Sequence, residues 1–87
     1  MADALLKKKV RDSLKESSFR DPDDLVDVSD GPEDSIHLVI VSRQFDGRRM
    51  KEKDEMIWSV LTQKLRPDEW GKVSLSIGAS PEEIKSM

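Results

Sequence analysis

One apolar run, from Ser35 to Arg43, constrains the fold of this chain more than any other feature. It reads Ser-Ile-His-Leu-Val-Ile-Val-Ser-Arg, and every position from Leu38 to Val41 is apolar. Successive side chains of a strand point to opposite faces, so a strand that is apolar on both faces belongs at the centre of a sheet. We therefore expect residues 36–43 to form a central strand with a partner on each side.

An earlier segment has the pattern of a strand with one face in water. Val26 and Val28 alternate with Asp27 and Ser29. This alternation predicts a strand over residues 25–30 that lies near an edge of the sheet.

A later segment has the same alternation. Val73, Leu75 and Ile77 are separated by single serines. The spacing predicts a third strand over residues 73–78, with these three side chains on one buried face. A helix lies between the central strand and this one, and a strand-helix-strand unit of this length implies a parallel crossover and a mixed sheet.

The first helix is predicted from a stripe of apolar residues spaced by four. Leu6, Val10 and Leu14 form the stripe, and lysine and arginine side chains surround it. A helix over residues 3–17 with this narrow apolar face is suited to cover a sheet.

Two more helices follow from spacing and from capping signals. Apolar residues one helical turn apart predict a helix over residues 54–65, which Pro67 ends. Ser80, a proline directly after it and Glu83 three positions on form the capping-box signal of a short helix over residues 81–87. The predicted fold class is α+β, with the order αββαβα and a three-stranded mixed sheet covered by helices.

Size and composition limit the functions that are open to the chain. With 87 residues it makes one domain, over residues 1–87, and its net charge of −3 provides no global attraction for nucleic acid. It has no cysteine, which excludes disulfides and thiolate ligands. No apolar run approaches the length of about 18 residues that a membrane span needs, so we expect a cytoplasmic protein without membrane contact.

The order and spacing of several short motifs resemble those of the BolA family. The motifs are Leu-Val-Ile-Val-Ser at 38–42, Phe-x-Gly at 45–47, the start of the second helix at 53–58, and Val-x-Leu-Ser-Ile at 73–77 running on to Ser-Pro-Glu at 80–82. The resemblance implies a fold related to the type II KH domain. It also implies roles in iron–sulfur cluster trafficking with monothiol glutaredoxins and in transcriptional regulation.

The chain departs from this family at the positions where family members carry metal-binding histidines. Those positions are Asp54 and Val73 here. Ser35 takes the position of a further family histidine. The only imidazole of the chain belongs to His37, two residues further along. A shared cluster needs thiolate or imidazole donors, so we expect no metal site and no cofactor, with His37 a weak candidate ligand.

The best candidate binding surface is a basic segment between the central strand and the second helix. Its candidate residues are Arg43, Arg48, Arg49, Lys51 and Lys53, joined by Trp58 on the helix. The segment is open to three interpretations: a solvated face, contact with an acidic protein surface, or contact with nucleic acid phosphates. The Gly-x-x-Gly loop with which KH domains grip nucleic acid is missing.

No recognisable spacing of nucleophile, base and oxyanion donors occurs, so we expect no enzymatic activity. The leading hypothesis is a BolA-like binding or regulatory module that acts through protein contacts. The partner implied by resemblance is a monothiol glutaredoxin. The alternatives are a nucleic-acid-binding, transcription-regulator-like domain that uses residues 43–53, and a glutaredoxin-partnered iron–sulfur trafficking factor. The oligomeric state stays open.

Overall fold

A computed structural model of the protein describes residues 3–85. Its elements in chain order are helix α1 (Ala4–Ser17), strand β1 (Leu25–Asp30), strand β2 (Ile36–Val41), a 3₁₀ turn (Arg43–Phe45), helix α2 (Met50–Lys64), helix α3 (Pro67–Trp70), strand β3 (Val73–Ala79) and helix α4 (Pro81–Lys85). The α+β class and the predicted order of the main elements are confirmed, with the 3₁₀ turn and α3 as additions.

The three strands form one mixed sheet in the order β1-β2-β3. Strand β1 is antiparallel to β2, and β3 is parallel to β2, as the crossover predicts. The central place of β2 and the edge position of β1 are therefore confirmed. None of the helices within residues 3–85 is both long enough and apolar enough to cross a bilayer.

Helices α1 and α2 pack on the same face of the sheet and bury the core between them. In α1, Val10 and Leu14 are fully buried and Leu6 packs against the core, so the predicted stripe is confirmed. The buried core comprises Val10, Leu14, Phe19, Val26, Ile36, Leu38, Ile40, Phe45, Ile57, Val60, Leu61, Leu65 and Val73.

Strand β3 corrects one prediction. Val73 pairs with Ile36, but the next pair joins Leu75 to His37, so one extra residue of β3 forms a bulge at Ser74. Beyond the bulge the faces are exchanged. Val73 lies in the core, whereas Leu75 and Ile77 are 42% and 43% exposed on the other face of the sheet. The prediction that all three share one buried face is wrong.

After the bulge, β3 presents small residues to the helices. Gly78 lies against α2 and the 3₁₀ turn, where an added Cβ would sit 3.0 Å from Cε2 of Phe45 and 3.2 Å from Cβ of Lys53. The absence of a side chain at Gly78 therefore lets both groups approach the strand.

Helix α2 begins at Met50 rather than at residue 54. The carboxylate of Glu52 accepts a hydrogen bond from the Arg49 amide at 3.0 Å, which caps the first turn. Strand β2 ends at Val41 rather than at residue 43. The hydroxyl of Ser42 accepts a hydrogen bond from the Gln44 amide and so caps the start of the 3₁₀ turn. The end of the basic segment is thus helical.

The capping box of α4 is confirmed. The Glu83 carboxylate accepts a hydrogen bond from the Ser80 amide at 3.0 Å, and the Ser80 hydroxyl accepts from the Glu83 amide at 3.2 Å. Helix α4 follows to Lys85, and the last two residues of the predicted range 81–87 lie outside the described residues.

Candidate functional site

Arg43, the first residue of the predicted basic segment, forms ion pairs with the acidic turn before β1. Its guanidinium lies 3.3 Å from a carboxylate oxygen of Asp21 and 3.8 Å from one of Asp23. A hydrogen bond from the Asp23 amide, reinforced by the charge of Arg43, holds the pKa of Asp21 below its ordinary value. Arg43 therefore joins the 3₁₀ turn to the segment before β1.

The basic side chains in the middle of the basic segment are exposed. The Nε of Arg48 donates to the carbonyl of Gln44 at 2.9 Å, and its Nη1 lies 3.8 Å from Glu52. Arg49 and Lys51 are exposed, and within residues 3–85 neither forms an ion pair. These two side chains are the part of the basic segment that is available to a partner.

Lys53 does not lie on this surface, which corrects its place among the candidates. It is 5% exposed, and its Nζ lies 2.6 Å from Oε1 of Glu83. The hydrogen bond from Lys53, followed by the one from the Ser80 amide, lowers the pKa of Glu83. The lysine stem fits beside Gly78, so Lys53 ties α2 to α4 instead of contacting solvent.

One flank of α2 carries a shallow depression that is mainly apolar. It has a volume of ≈ 500 Å³ and is lined by Met50, Lys51, Asp54, Glu55 and Trp58. These residues recur one helical turn apart, which places them on a single stripe of the helix. We call this depression the α2 groove.

The two apolar residues of the α2 groove differ in their exposure and in the contacts that hold them. Met50 is 75% exposed at the start of the helix. Trp58 is half-buried: its ring meets that of Trp70 edge to face at 6.0 Å, and its Nε1 donates to the Ser76 hydroxyl at 3.1 Å. The groove therefore joins a fixed aromatic wall to an adaptable methionine, a combination suited to contact with an apolar side chain.

The positions at which BolA family members carry metal-binding histidines do not form a metal site in this chain. Asp54 lines the α2 groove, while Val73 is a core residue without a donor atom. His37 is half-buried on the opposite face of the sheet, where it pairs with Ser29 and Leu75. Among residues 3–85, no three acidic, histidine or cysteine side chains are grouped to hold a metal ion. These residues do not fit an iron–sulfur cluster.

Comparisons with protein-family models, with curated proteins and with solved structures found no match to this chain. Sequence reasoning found Lys51 and Trp58 but missed Met50, Asp54 and Glu55 as neighbours in one groove. The signal was the spacing of Met50, Asp54 and Trp58 by four, which becomes visible once the helix is started at residue 50.

Proposed function

We propose that this chain is a BolA-like binding module, related to the type II KH fold, which acts by protein contact and not by catalysis. The partner docks on the α2 groove, beside the exposed cations Arg49 and Lys51. The observation that carries the proposal is the pairing of an exposed Met50 with the fixed ring of Trp58 in one mainly apolar groove.

The charge distribution favours a protein over a nucleic acid. Arg43 and Lys53 form ion pairs with carboxylates of the chain itself. The basic segment therefore has fewer unpaired cations than basic residues. Asp54 and Glu55 also line the groove and would repel phosphates. A protein surface can match this mixture of apolar and charged groups, as interfaces with an apolar centre and a polar rim do.

The partner that the BolA resemblance suggests is a monothiol glutaredoxin. An acidic or polar rim on that partner would face Arg49 and Lys51, while one apolar side chain enters between Met50 and Trp58. The burial of an aliphatic side chain is worth about 1.5–3 kcal/mol before the costs of association. A single anchor of this size is consistent with a reversible regulatory contact.

The test is an amide chemical-shift titration of the ¹⁵N-labelled protein with a monothiol glutaredoxin. We expect saturable shifts at Met50, Lys51, Asp54 and Trp58, and a weaker affinity for Met50→Ser and Lys51→Glu. The matched controls lie on α1: Leu5→Ser, because Leu5 is 78% exposed against 75% for Met50, and Lys8→Glu. Both controls should bind as the native chain does.

Two outcomes would overturn the proposal. The first is binding that Met50→Ser leaves unchanged. The second is a shift pattern at Arg48, Arg49 and Lys51 with a short DNA duplex that is stronger than with the protein and falls steeply with salt, which would favour the nucleic-acid alternative.

A further inference from the structure

The face of the sheet opposite the helices carries an apolar patch of its own; we call it the open face. Across β1, β2 and β3 its rows are Leu25, Val41 and Ala79, then Asp27, Val39 and Ile77, then Ser29, His37 and Leu75. The apolar positions are contiguous, and the polar ones share a corner. Leu25, Leu75 and Ile77 are 55%, 42% and 43% exposed.

This arrangement is the reverse of what a solvent-facing sheet surface needs. A sheet with one wet face normally alternates apolar residues inward and polar residues outward. Beyond its bulge, β3 does the opposite: Ser76 and Gly78 face α2, while Leu75 and Ile77 face outward.

The open face also concentrates the exposed apolar side chains of the molecule. Within residues 3–85 the exposed large hydrophobic residues are Leu5, Leu25, Met50, Leu75, Ile77 and Ile84, and half of them lie on this face. Single exposed apolar residues are ordinary, but a contiguous patch marks an interaction surface.

The size of the face favours one helix as its occupant. Three strands about 4.8 Å apart and six residues long, rising about 3.3 Å each, make a footprint of roughly 15 × 20 Å, on the order of 300 Å². A stable dimer buries about 800 Å² on each subunit, so two such faces are too small to hold one, whereas a reversible contact with one helix needs less area. A helix is about 10 Å wide, and about 13 residues of it span 20 Å, so one helix covers most of the footprint.

The charge at the rim specifies the partner further. Asp27 is exposed beside Val39, and within residues 3–85 it forms no ion pair. We propose that the open face binds one amphipathic helix of a partner protein, with an apolar stripe over Val39 and Ile77 and a lysine or arginine opposite Asp27. This surface lies across the sheet from the α2 groove and does not depend on the function proposed there.

The test uses three synthetic Ala-rich helical peptides of about 16 residues. The first has leucines at positions one helical turn apart and lysines along one flank, the second has glutamates in place of the lysines, and the third has the composition of the first with scrambled leucines. Titrated into the ¹⁵N-labelled protein, the lysine peptide should give saturable shifts at Leu25, Val39 and Ile77. The scrambled peptide should give none.

A charge reversal on the protein tests the rim without disturbing the core. Asp27→Lys should weaken binding of the lysine peptide roughly three- to tenfold and strengthen binding of the glutamate peptide, as expected for one exposed ion pair that becomes a repulsion. Asp46→Lys, at an exposed position directly after the 3₁₀ turn, is the matched control and should change neither affinity.

Three results would overturn the inference: no saturable shift on the open face, equal binding of the scrambled peptide, or a concentration-dependent dimer that uses this face without any peptide. Shifts confined to Met50, Asp54 and Trp58 would also contradict it while supporting the function proposed for the α2 groove. Failure of one surface is therefore distinguishable from failure of the other.

Discussion

The two faces of the sheet are built from the same strands but differ in what covers them. On the covered face Ile36, Leu38 and Ile40 of β2 are fully buried beneath α1 and α2. On the open face Val39 and Val41 of the same strand are only half-buried. Both faces of β2 are therefore apolar from Leu38 to Val41, although the open face also carries the polar residues Asp27, Ser29 and His37.

Strand β3 differs between its two faces in side-chain size. Beyond its bulge, β3 presents small residues to the helix layer, with Ser76 against Trp58 and Gly78 against Phe45. The larger residues Leu75 and Ile77 are left for the other side. The covered face thus combines large apolar residues of β2 with small residues of β3, whereas the open face carries the large apolar residues of β3 that we propose a partner covers.

Alanine substitutions at adjacent positions of β2 should separate the two faces most clearly. Leu38→Ala removes a fully buried side chain and should lower the free energy of unfolding by about 2–5 kcal/mol. Val39→Ala should cost no more than about 1 kcal/mol, because that side chain is already partly in water. Urea unfolding of both variants measures the difference. Equal losses would mean that the open face is buried in solution.

Larger side chains at adjacent positions of β3 should give a smaller difference in stability between the two faces. Gly78→Ala places a methyl group 3.0 Å from the Phe45 ring, so we expect a loss of about 1–3 kcal/mol from overpacking. Ala79→Ser, on the open face, should stay within about 0.5 kcal/mol of the native chain. Thermal or urea unfolding is the readout, and a neutral Gly78→Ala would show that the helix layer moves away easily.

The smallest effect concerns the ion pair that fastens α4 to the covered side. Because the pKa of Glu83 is lowered on folding, its charge stabilises the folded chain above its ordinary value of 4.5 and ceases to do so as the pH falls through the lowered pKa. Glu83→Gln keeps an oxygen for the Ser80 amide but removes the charge opposite Lys53.

We expect Glu83→Gln to be less stable than the native chain at pH 7 and to become equal to it in acid. Urea unfolding from pH 7 to pH 3 follows the difference, and Glu55→Gln on the exposed side of α2 is the matched control. A difference that stays unchanged down to pH 3 would show that the Lys53 contact is not its cause.

Much of the architecture could be predicted from local pattern. The stripe in α1, the apolar run of β2 and the capping box at Ser80 each act within a few residues, so the sequence displays them directly. The parallel crossover followed from the strand-helix-strand order.

The remainder depends on contacts between distant segments. The bulge at Ser74 shifts β3 by one residue against β2, and no alternation within β3 reveals it. Lysine is rarely buried, so the burial of Lys53 required knowledge that Gly78 makes room for its stem and that Glu83 reaches its charge. The α2 groove was missed for a related reason, since Met50 and Lys51 join Asp54, Glu55 and Trp58 on one stripe only if the helix starts at Met50.

The parallel pairing of β2 with β3 also sets an order of events during folding. Paired residues of β1 and β2, such as Asp30 and Ile36, are separated only by a short turn. Paired residues of β2 and β3, such as Val39 and Ile77, are separated by a segment that includes the whole of α2. Short loops close at lower entropic cost, so we expect the β1–β2 hairpin to form first and β3 to dock late. Until then the second edge of β2 is unpaired and can pair with another chain, so refolding yield should fall as the protein concentration rises.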